Sequence, residues 1–298
     1  MVGGKFEIRN SKFEITESSR RVTAEEALRS GAEALPIRAG LPDPRREAAW
    51  LLAAAWGVDE VTLRLHPERE VPAQVSTLYH SWLERRAAGE PAHHLTGSCT
   101  FCGREFLVTP AVLVPRPETE LVVQTALELP MPNNARVLDV GTGSGCIAAS
   151  LAAERPEWQV CGVDYSPAAL SVARRNIDLH GLEVSLFVGD LAAAASPPWN
   201  MVVANLPYVP TGRLDTLPLE VRSDPRTALD GGEDGLDVVF ALVADLKRLL
   251  RVCGGAILEI GENQADKVAA YARSAGLAVA RRVRDVGGAE RVIVLQPA

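Results

Sequence analysis

Val137-Leu138-Asp139-Val140-Gly141-Thr142-Gly143-Ser144-Gly145 decides the fold. An apolar run of strand length enters a turn of three glycines, and residues 145–153 then read as a helix. Glycines permit a tight turn and a close approach of backbone to a ligand. The spacing is Gly-x-Gly-x-Gly, not the Gly-x-Gly-x-x-Gly of dinucleotide binders. Asp164 ends the next apolar run, nineteen positions after Gly145. A carboxylate at that place can accept both hydroxyls of a ribose. The glycines alone fit any tight strand–helix turn. With Asp164 at this interval the segment reads as a nucleoside-cofactor loop. Its candidate contacts are Asp139, Gly141, Thr142, Gly143, Ser144, Gly145 and Asp164.

Outward from this loop the pattern keeps alternating. Strands are expected at 136–140, 159–163, 184–188, 201–204 and 256–260, with helices over 167–180 and 236–251. Alternation of this kind implies a mostly parallel sheet covered on both faces. The end differs: 278–283 and 291–295 are β-like around Gly287-Gly288, which suits an antiparallel hairpin at the sheet's edge. Upstream, residues 97–110 read as a hairpin turning at Gly103. Residues 22–90 read as a small helical bundle, opened by Thr23 with Glu26 three positions on, the pattern of a capping box. Residues 1–21, where Lys-Phe-Glu-Ile occurs at 5–8 and again at 12–15, read as a disordered tail. The expected organisation is therefore tail 1–21, helical domain 22–90, hairpin linker 91–117 and α/β domain 118–298.

Two further strand ends carry chemistry. Asp190-Leu191 follows the third strand, where a carboxylate can accept an adenine amine while leucine lies against the ring. A turn aspartate is the plainer reading of the same residue. Asn205-Leu206-Pro207-Tyr208 ends the fourth strand. Ligands of open parallel sheets bind at the carboxyl ends of the strands. The Asn205 side-chain oxygen and the Leu206 carbonyl together can accept both hydrogens of an NH₂ group. Pro207 stiffens the segment, and Tyr208 offers a ring to a flat substrate.

Composition narrows the class. The 298 residues are 47% hydrophobic, enough for a sizeable core, and the net charge of -7 argues against strong unspecific attraction to nucleic acid. No apolar run approaches the ~18–20 residues that span a bilayer, and no signal-peptide core opens the chain. A cytoplasmic protein is expected. Five cysteines without framework spacing read as reduced thiols. His93, His94, Cys99 and Cys102 crowd together, but one Cys-x-x-Cys without a second pair is a poor zinc signal, and no metal is assigned.

The glycine loop, Asp164 and Asn205-Leu206-Pro207-Tyr208 resemble the Rossmann-like methyltransferases that act on exocyclic nitrogen. Glu90-Pro91-Ala92-His93-His94-Leu95-Thr96-Gly97, Val114-Pro115-Arg116-Pro117-Glu118-Thr119-Glu120 and Asp224-Pro225-Arg226-Thr227-Ala228-Leu229-Asp230-Gly231-Gly232 narrow the resemblance. They are similar to the release-factor glutamine methyltransferases, the HemK/PrmC family, over about residues 22–296. The resemblance implies a class I methyltransferase domain, a helical N-terminal domain joined by a β-hairpin, and S-adenosylmethionine as cofactor. It implies class-1 peptide-chain release factors as partners, with the glutamine of their Gly-Gly-Gln motif as substrate. It also implies Phe101 as a wall of the glutamine pocket, and Arg116 and Glu118 as braces of a loop over the cofactor. A monomer without direct nucleic-acid binding is expected. One departure stands: the family's usual tetrapeptide is Asn-Pro-Pro-Tyr, and Leu206 replaces its first proline. Asn-Leu-Pro-Tyr also occurs in ribosomal-RNA adenine dimethyltransferases. Methylation of the exocyclic amine of adenine in RNA or DNA is thus the alternative, although residues 90–120 do not fit it.

Overall fold

The computed structural model describes residues 21–37 and 43–298, so the expected tail lies outside the described residues apart from Arg21. Two compact units divide after Glu84.

The first unit is helical: α1 Ala24–Ala34, α2 Pro44–Trp56, α3 Glu60–Leu65 and most of α4 Ala73–Ala87. The capping box at Thr23 is complete. Thr23 Oγ1 accepts from the Glu26 N–H at 3.3 Å, and Glu26 Oε2 accepts from the Thr23 N–H at 3.1 Å. Both donors would otherwise be orphans of the helix start. Gly31 sits inside α1 because Tyr79 occupies the space a Cβ would need. The buried Tyr79 hydroxyl donates to the Ala27 carbonyl at 3.4 Å.

The second unit opens with α5 Ala92–Thr96 and a hairpin of β1 Ser98–Phe101 and β2 Arg104–Leu107, followed by α6 Glu120–Glu128. The alternating part runs β3 Arg136–Val140, α7 Cys146–Glu154, β4 Gln159–Asp164, α8 Pro167–Leu179, β5 Val184–Val188 and β6 Trp199–Ala204. It continues with the short α9 Leu219–Arg222, α10 Asp237–Leu249, β7 Leu250–Glu259, α11 Ala265–Ser274, β8 Leu277–Arg284 and β9 Glu290–Pro297.

Seven strands form one sheet in the order β5-β4-β3-β6-β7-β9-β8. The first five are mutually parallel, and β9 runs antiparallel to both β7 and β8. The terminal hairpin thus inserts β9 beside β7 and leaves β8 at the edge. Strand alternation divides the core in two. Leu138, Val140, Val202, Ala204 and Leu258 face α10 and α11. Val137, Met201, Val203 and Ile257 face α6 and α7. Both faces of the central strands are therefore covered, which is why they read as continuous apolar runs. Sequence reading passes over α11, whose buried positions Ala265, Val268, Ala269 and Ala272 have helical spacing but are mostly small.

The strand order places the site. The chain winds from β3 outward to β4 and β5, then returns to the other side of β3 for β6 and β7. At such a reversal the loops after the two flanking strands diverge and open a crevice. Here those loops are Gly141–Gly145, after β3, and Asn205–Tyr208, after β6.

Candidate functional site

Gly141, Gly143 and Gly145 all have positive φ (71°, 54° and 79°), which explains the spacing of the motif. At two of them space is also short. A Cβ on Gly141 would stand 2.9 Å from Leu206 Cδ2, and one on Gly145 would stand 3.1 Å from Ala173 Cβ. The turn hangs on neighbouring β4: the Gly141 and Thr142 N–H groups both donate to the Val163 carbonyl, at 2.9 and 3.0 Å.

Two carboxylates hold the loop from opposite sides. Asp139 lies beneath it, with Oδ2 accepting from the Thr142 hydroxyl at 2.6 Å and from the Ala148 N–H at 3.2 Å. Full burial pushes its carboxyl up to about 7. Asp164 lies at the rim, where Oδ2 accepts from the Gly143 N–H and Oδ1 from the Ser166 N–H, both at 2.9 Å. Each oxygen keeps a lone pair for a ligand.

A cleft of about 890 Å³ runs along these loops, within the size range of small-molecule sites. It is lined by Gly141, Thr142, Gly143, Ser144 and Asp164, by Asp190 and Leu191, and by Asn205, Leu206 and Pro207. Pro110–Leu113, Pro115 and Thr119 contribute further wall. An elongated ligand with a nucleoside at one end fits this donor set. A carboxylate stands at the place expected for the ribose, and a second carboxylate and an apolar side chain at the place expected for the base.

Not every expected contact reaches the cleft. Asp139 and Gly145 support the loop without lining it. Phe101, expected in a substrate wall, is 1% exposed in the core that faces α6 and α7. Alternation along β1 turns it inward, edge-on to Phe106 with ring centroids 6.1 Å apart. Tyr208 lines not the cleft but an adjoining cavity of about 260 Å³, which Asn205 also lines. Tyr165, directly after Asp164, lines the cleft and is half-exposed; sequence reading missed it.

The Asn205 amide is oriented from behind. Its Nδ2 donates to Thr119 Oγ1 at 2.9 Å, which leaves Oδ1 as an uncommitted acceptor. Tyr208 is fixed at two points. Its hydroxyl donates to Glu259 Oε1 at 3.2 Å, and its carbonyl accepts from Gln264 Nε2 at 2.9 Å. Thr119, Glu259 and Gln264 were not legible as site residues, because each acts on a tetrapeptide 51 or more positions away.

The three outer motifs brace the same place. Asp224 accepts from Arg116 Nη2 at 2.5 Å and from the Val114 N–H at 3.3 Å, with His94 Nε2 3.9 Å away. Val209 donates to the Leu229 carbonyl and accepts from the Gly231 N–H, so residues 229–231 lie against the chain just past the tetrapeptide. Asp230 Oδ1 accepts from the Thr211 hydroxyl at 2.6 Å. Arg116 is thus engaged by Asp224. Among the described residues no three His, Cys, Asp or Glu side chains are grouped to hold a metal. Cys99 Sγ points at the Thr100 and Pro115 carbonyls, and His93 Nδ1 pairs with the Ser98 carbonyl.

Comparison with known proteins bears on most of the chain. Residues 26–97 match the family described as PrmC N-terminal domain, and residues 118–218 match the methyltransferase small domain. A release factor glutamine methyltransferase of Geobacter sulfurreducens is 40% identical over 256 residues, covering 85% of this chain and 90% of the relative. One of Deinococcus radiodurans is 41% identical over 267 residues, covering 89% and 96%. Among solved structures, a methyltransferase from Pyrococcus furiosus superposes with a TM-score of 0.51 at 16% identity, covering 66% of this chain and 90% of that one. The T. thermophilus 16S rRNA N2 G1207 methyltransferase, in complex with AdoMet and guanosine, gives 0.51 at 18% identity, covering 67% and 50%. At these identities the structural likeness establishes the fold.

Proposed function

Because the chain belongs to the release factor glutamine methyltransferase family, we propose that it methylates the side-chain amide nitrogen of the Gly-Gly-Gln glutamine of class-1 peptide-chain release factors, using S-adenosylmethionine. The observation that carries this reading is Asn205. Its NH₂ is engaged by Thr119 and its Oδ1 is left free, and the residue lines both the cleft and the smaller cavity.

When bound, S-adenosylmethionine supplies an electrophilic methyl group on a sulfonium. Gly141, Thr142, Gly143, Ser144 and Asp164 would hold it, with Asp190 and Leu191 at the adenine. An amide nitrogen is a poor nucleophile, because its lone pair is delocalised into its carbonyl. Asn205 Oδ1 and the Leu206 carbonyl each accept one N–H of the glutamine amide. Together they would aim the nitrogen and stabilise the positive charge that grows on it as its bond to the methyl carbon forms and that carbon's bond to sulfur breaks, with S-adenosylhomocysteine as the leaving group. Catalysis is then orientation and preorganised electrostatics. The proton on the alkylated nitrogen is acidic and leaves without a strong base.

Residues 22–90 are assigned to docking the release factor, where binding remote from the reacting atoms positions the glutamine. A monomeric, cytoplasmic protein without direct nucleic-acid contact completes the proposal. The negative net charge supports it, and among the described residues no helix is long and apolar enough to cross a membrane. Labelled methyl should appear on a purified release factor and not on ribosomal RNA; label on RNA adenine alone would favour the alternative.

Leu206 tests the backbone part of the clamp. Its side chain is buried against Gly141, and only its carbonyl is assigned to the substrate. Leu206→Pro should therefore keep turnover within about an order of magnitude, ~1.4 kcal/mol. A folded but inactive Leu206→Pro enzyme would show that the pocket depends on the leucine side chain or its N–H.

A further inference from the structure

Asn176 is a polar side chain where α8 turns its apolar face inward. It lies in the last turn of that helix and is fully buried. Burying an amide is costly unless its hydrogen bonds are made. Here both amide hydrogens and the oxygen are in use. Nδ2 donates to the Ser144 carbonyl at 2.8 Å and to the Leu107 carbonyl at 3.0 Å, and Oδ1 accepts from the Leu107 N–H at 2.7 Å.

The two segments it joins both border the cleft. Ser144 belongs to the glycine loop and lines the cleft. Its carbonyl stands outside the ladder of α7, because the Ala148 N–H, its partner at helical spacing, donates to Asp139 Oδ2 instead. The peptide between Ser144 and Gly145 is therefore held at both ends: its carbonyl by Asn176, its N–H by the Thr142 carbonyl at 2.7 Å. Leu107 ends β2, and the chain after it supplies Pro110–Leu113 and Pro115 to the cleft. Val108, Val112 and Val114 of that segment cluster with Ala169 and Val172 of α8. The same helix starts beside Asp164, whose Oδ1 accepts from the Ser166 N–H at 2.9 Å. One helix thus meets the cofactor carboxylate at its start, the cleft wall along its length, and the loop and hairpin together at its end.

We propose that Asn176 is a positioning residue for the methyl transfer: by holding Ser144 and Leu107 with one amide, it fixes the cofactor loop against the wall of the cleft and links occupation of the loop to the order of the wall. The proposal rests on the reading that Gly141–Gly145 hold S-adenosylmethionine.

The donor and acceptor count explains the residue type. Two carbonyls and one N–H converge on this side chain, and a primary amide answers all three. A carboxylate of the same shape would set an oxygen against two carbonyls. A leucine of similar size would leave three buried backbone groups without partners. Transfer requires reacting atoms aligned within about 3–3.5 Å, so a loop and a wall that drift apart cost turnover as well as binding.

The experiment uses the full-length enzyme and a purified release factor. Asn176→Leu should raise the S-adenosylmethionine Kd about tenfold by calorimetry and lower kcat at saturating cofactor about tenfold or more. Ile177→Ala is the control. It removes buried packing one residue further along α8 but no side-chain hydrogen bond. It should lower Tm, yet keep wild-type Kd and kcat at temperatures where it is folded. A second readout needs no substrate. The Val108 N–H donates to the Gly97 carbonyl at 3.0 Å, a bond that Asn176→Leu leaves in place. S-adenosylhomocysteine should slow hydrogen exchange at Val108 in the wild type more than at the amides of β8, at the far edge of the sheet, and should lose that excess in Asn176→Leu. A folded Asn176→Leu enzyme with wild-type Kd and kcat overturns the proposal. So does an Ile177→Ala enzyme with the same losses, which would reduce the effect of Asn176 to stability. If Asn176→Leu does not fold, the wild type decides alone: a Val108 amide protected no more than β8 overturns the link. A wild type that binds no S-adenosylmethionine overturns the cofactor reading, and the proposal with it.

Discussion

Asn205→Ala should lower turnover on a release factor by about 10²–10³-fold at saturating cofactor, the usual cost of removing one preorganised group aimed at developing charge. In the proposed mechanism Oδ1 is one of two acceptors for the substrate NH₂. With it gone, one N–H of the glutamine is left unpaired and the nitrogen is free to rotate away from the methyl group. Thr119 also loses its donor from Nδ2, so the wall behind the site slackens. Cofactor affinity should fall much less, because Asp164 and the glycine loop are braced independently by β4 and by the start of α8. Single-turnover kinetics with calorimetry separates the two effects. An Asn205→Ala enzyme with near-normal turnover would remove the amide clamp from the mechanism.

Asp164→Ala should weaken S-adenosylmethionine binding by roughly tenfold to a hundredfold, from ~1–3 kcal/mol for buried groups left without their partner. Two causes add. The ribose hydroxyls lose their acceptor, and the Gly143 and Ser166 N–H groups lose theirs, at 2.9 Å each. A ligand lacking both ribose hydroxyls tells them apart. The wild type should discriminate strongly between S-adenosylhomocysteine and its dideoxy analogue, and Asp164→Ala should not. Equal discrimination in both proteins would move the ribose away from Asp164.

The parts of the site that were legible in the sequence are those whose signal is local. Gly141 to Gly145 announce a turn because three positive-φ positions admit little else. Asp164 and Asn205 each end an apolar strand, and the ends of parallel strands are where an open sheet gathers its ligands. The terminal hairpin was legible from its glycine pair, although nothing local says that its second strand pairs with β7. What stayed hidden is long-range. Thr119 looks like one more polar residue in a loop, and its role follows only from standing 2.9 Å from a side chain 86 positions away. Glu259 is an acid at the end of an otherwise apolar strand, and the sequence does not say that it stays buried. Tyr208 belongs to the tetrapeptide, yet its ring serves the smaller cavity and its hydroxyl serves Glu259, because Gln264 and β7 hold the chain that way. Phe101 shows the converse: a residue type suited to a flat pocket lies here in the core.

The central claim is that this chain places a methyl group on one amide nitrogen. The direct measurement is mass spectrometry of a purified release factor after incubation with the enzyme and methyl-labelled S-adenosylmethionine. One added methyl is expected on the peptide carrying Gly-Gly-Gln, with fragment masses assigning it to the glutamine side chain. It should be absent when that glutamine is replaced or when the enzyme carries Asn205→Ala. A methyl at another residue, or one that persists after the glutamine is replaced, would contradict the account.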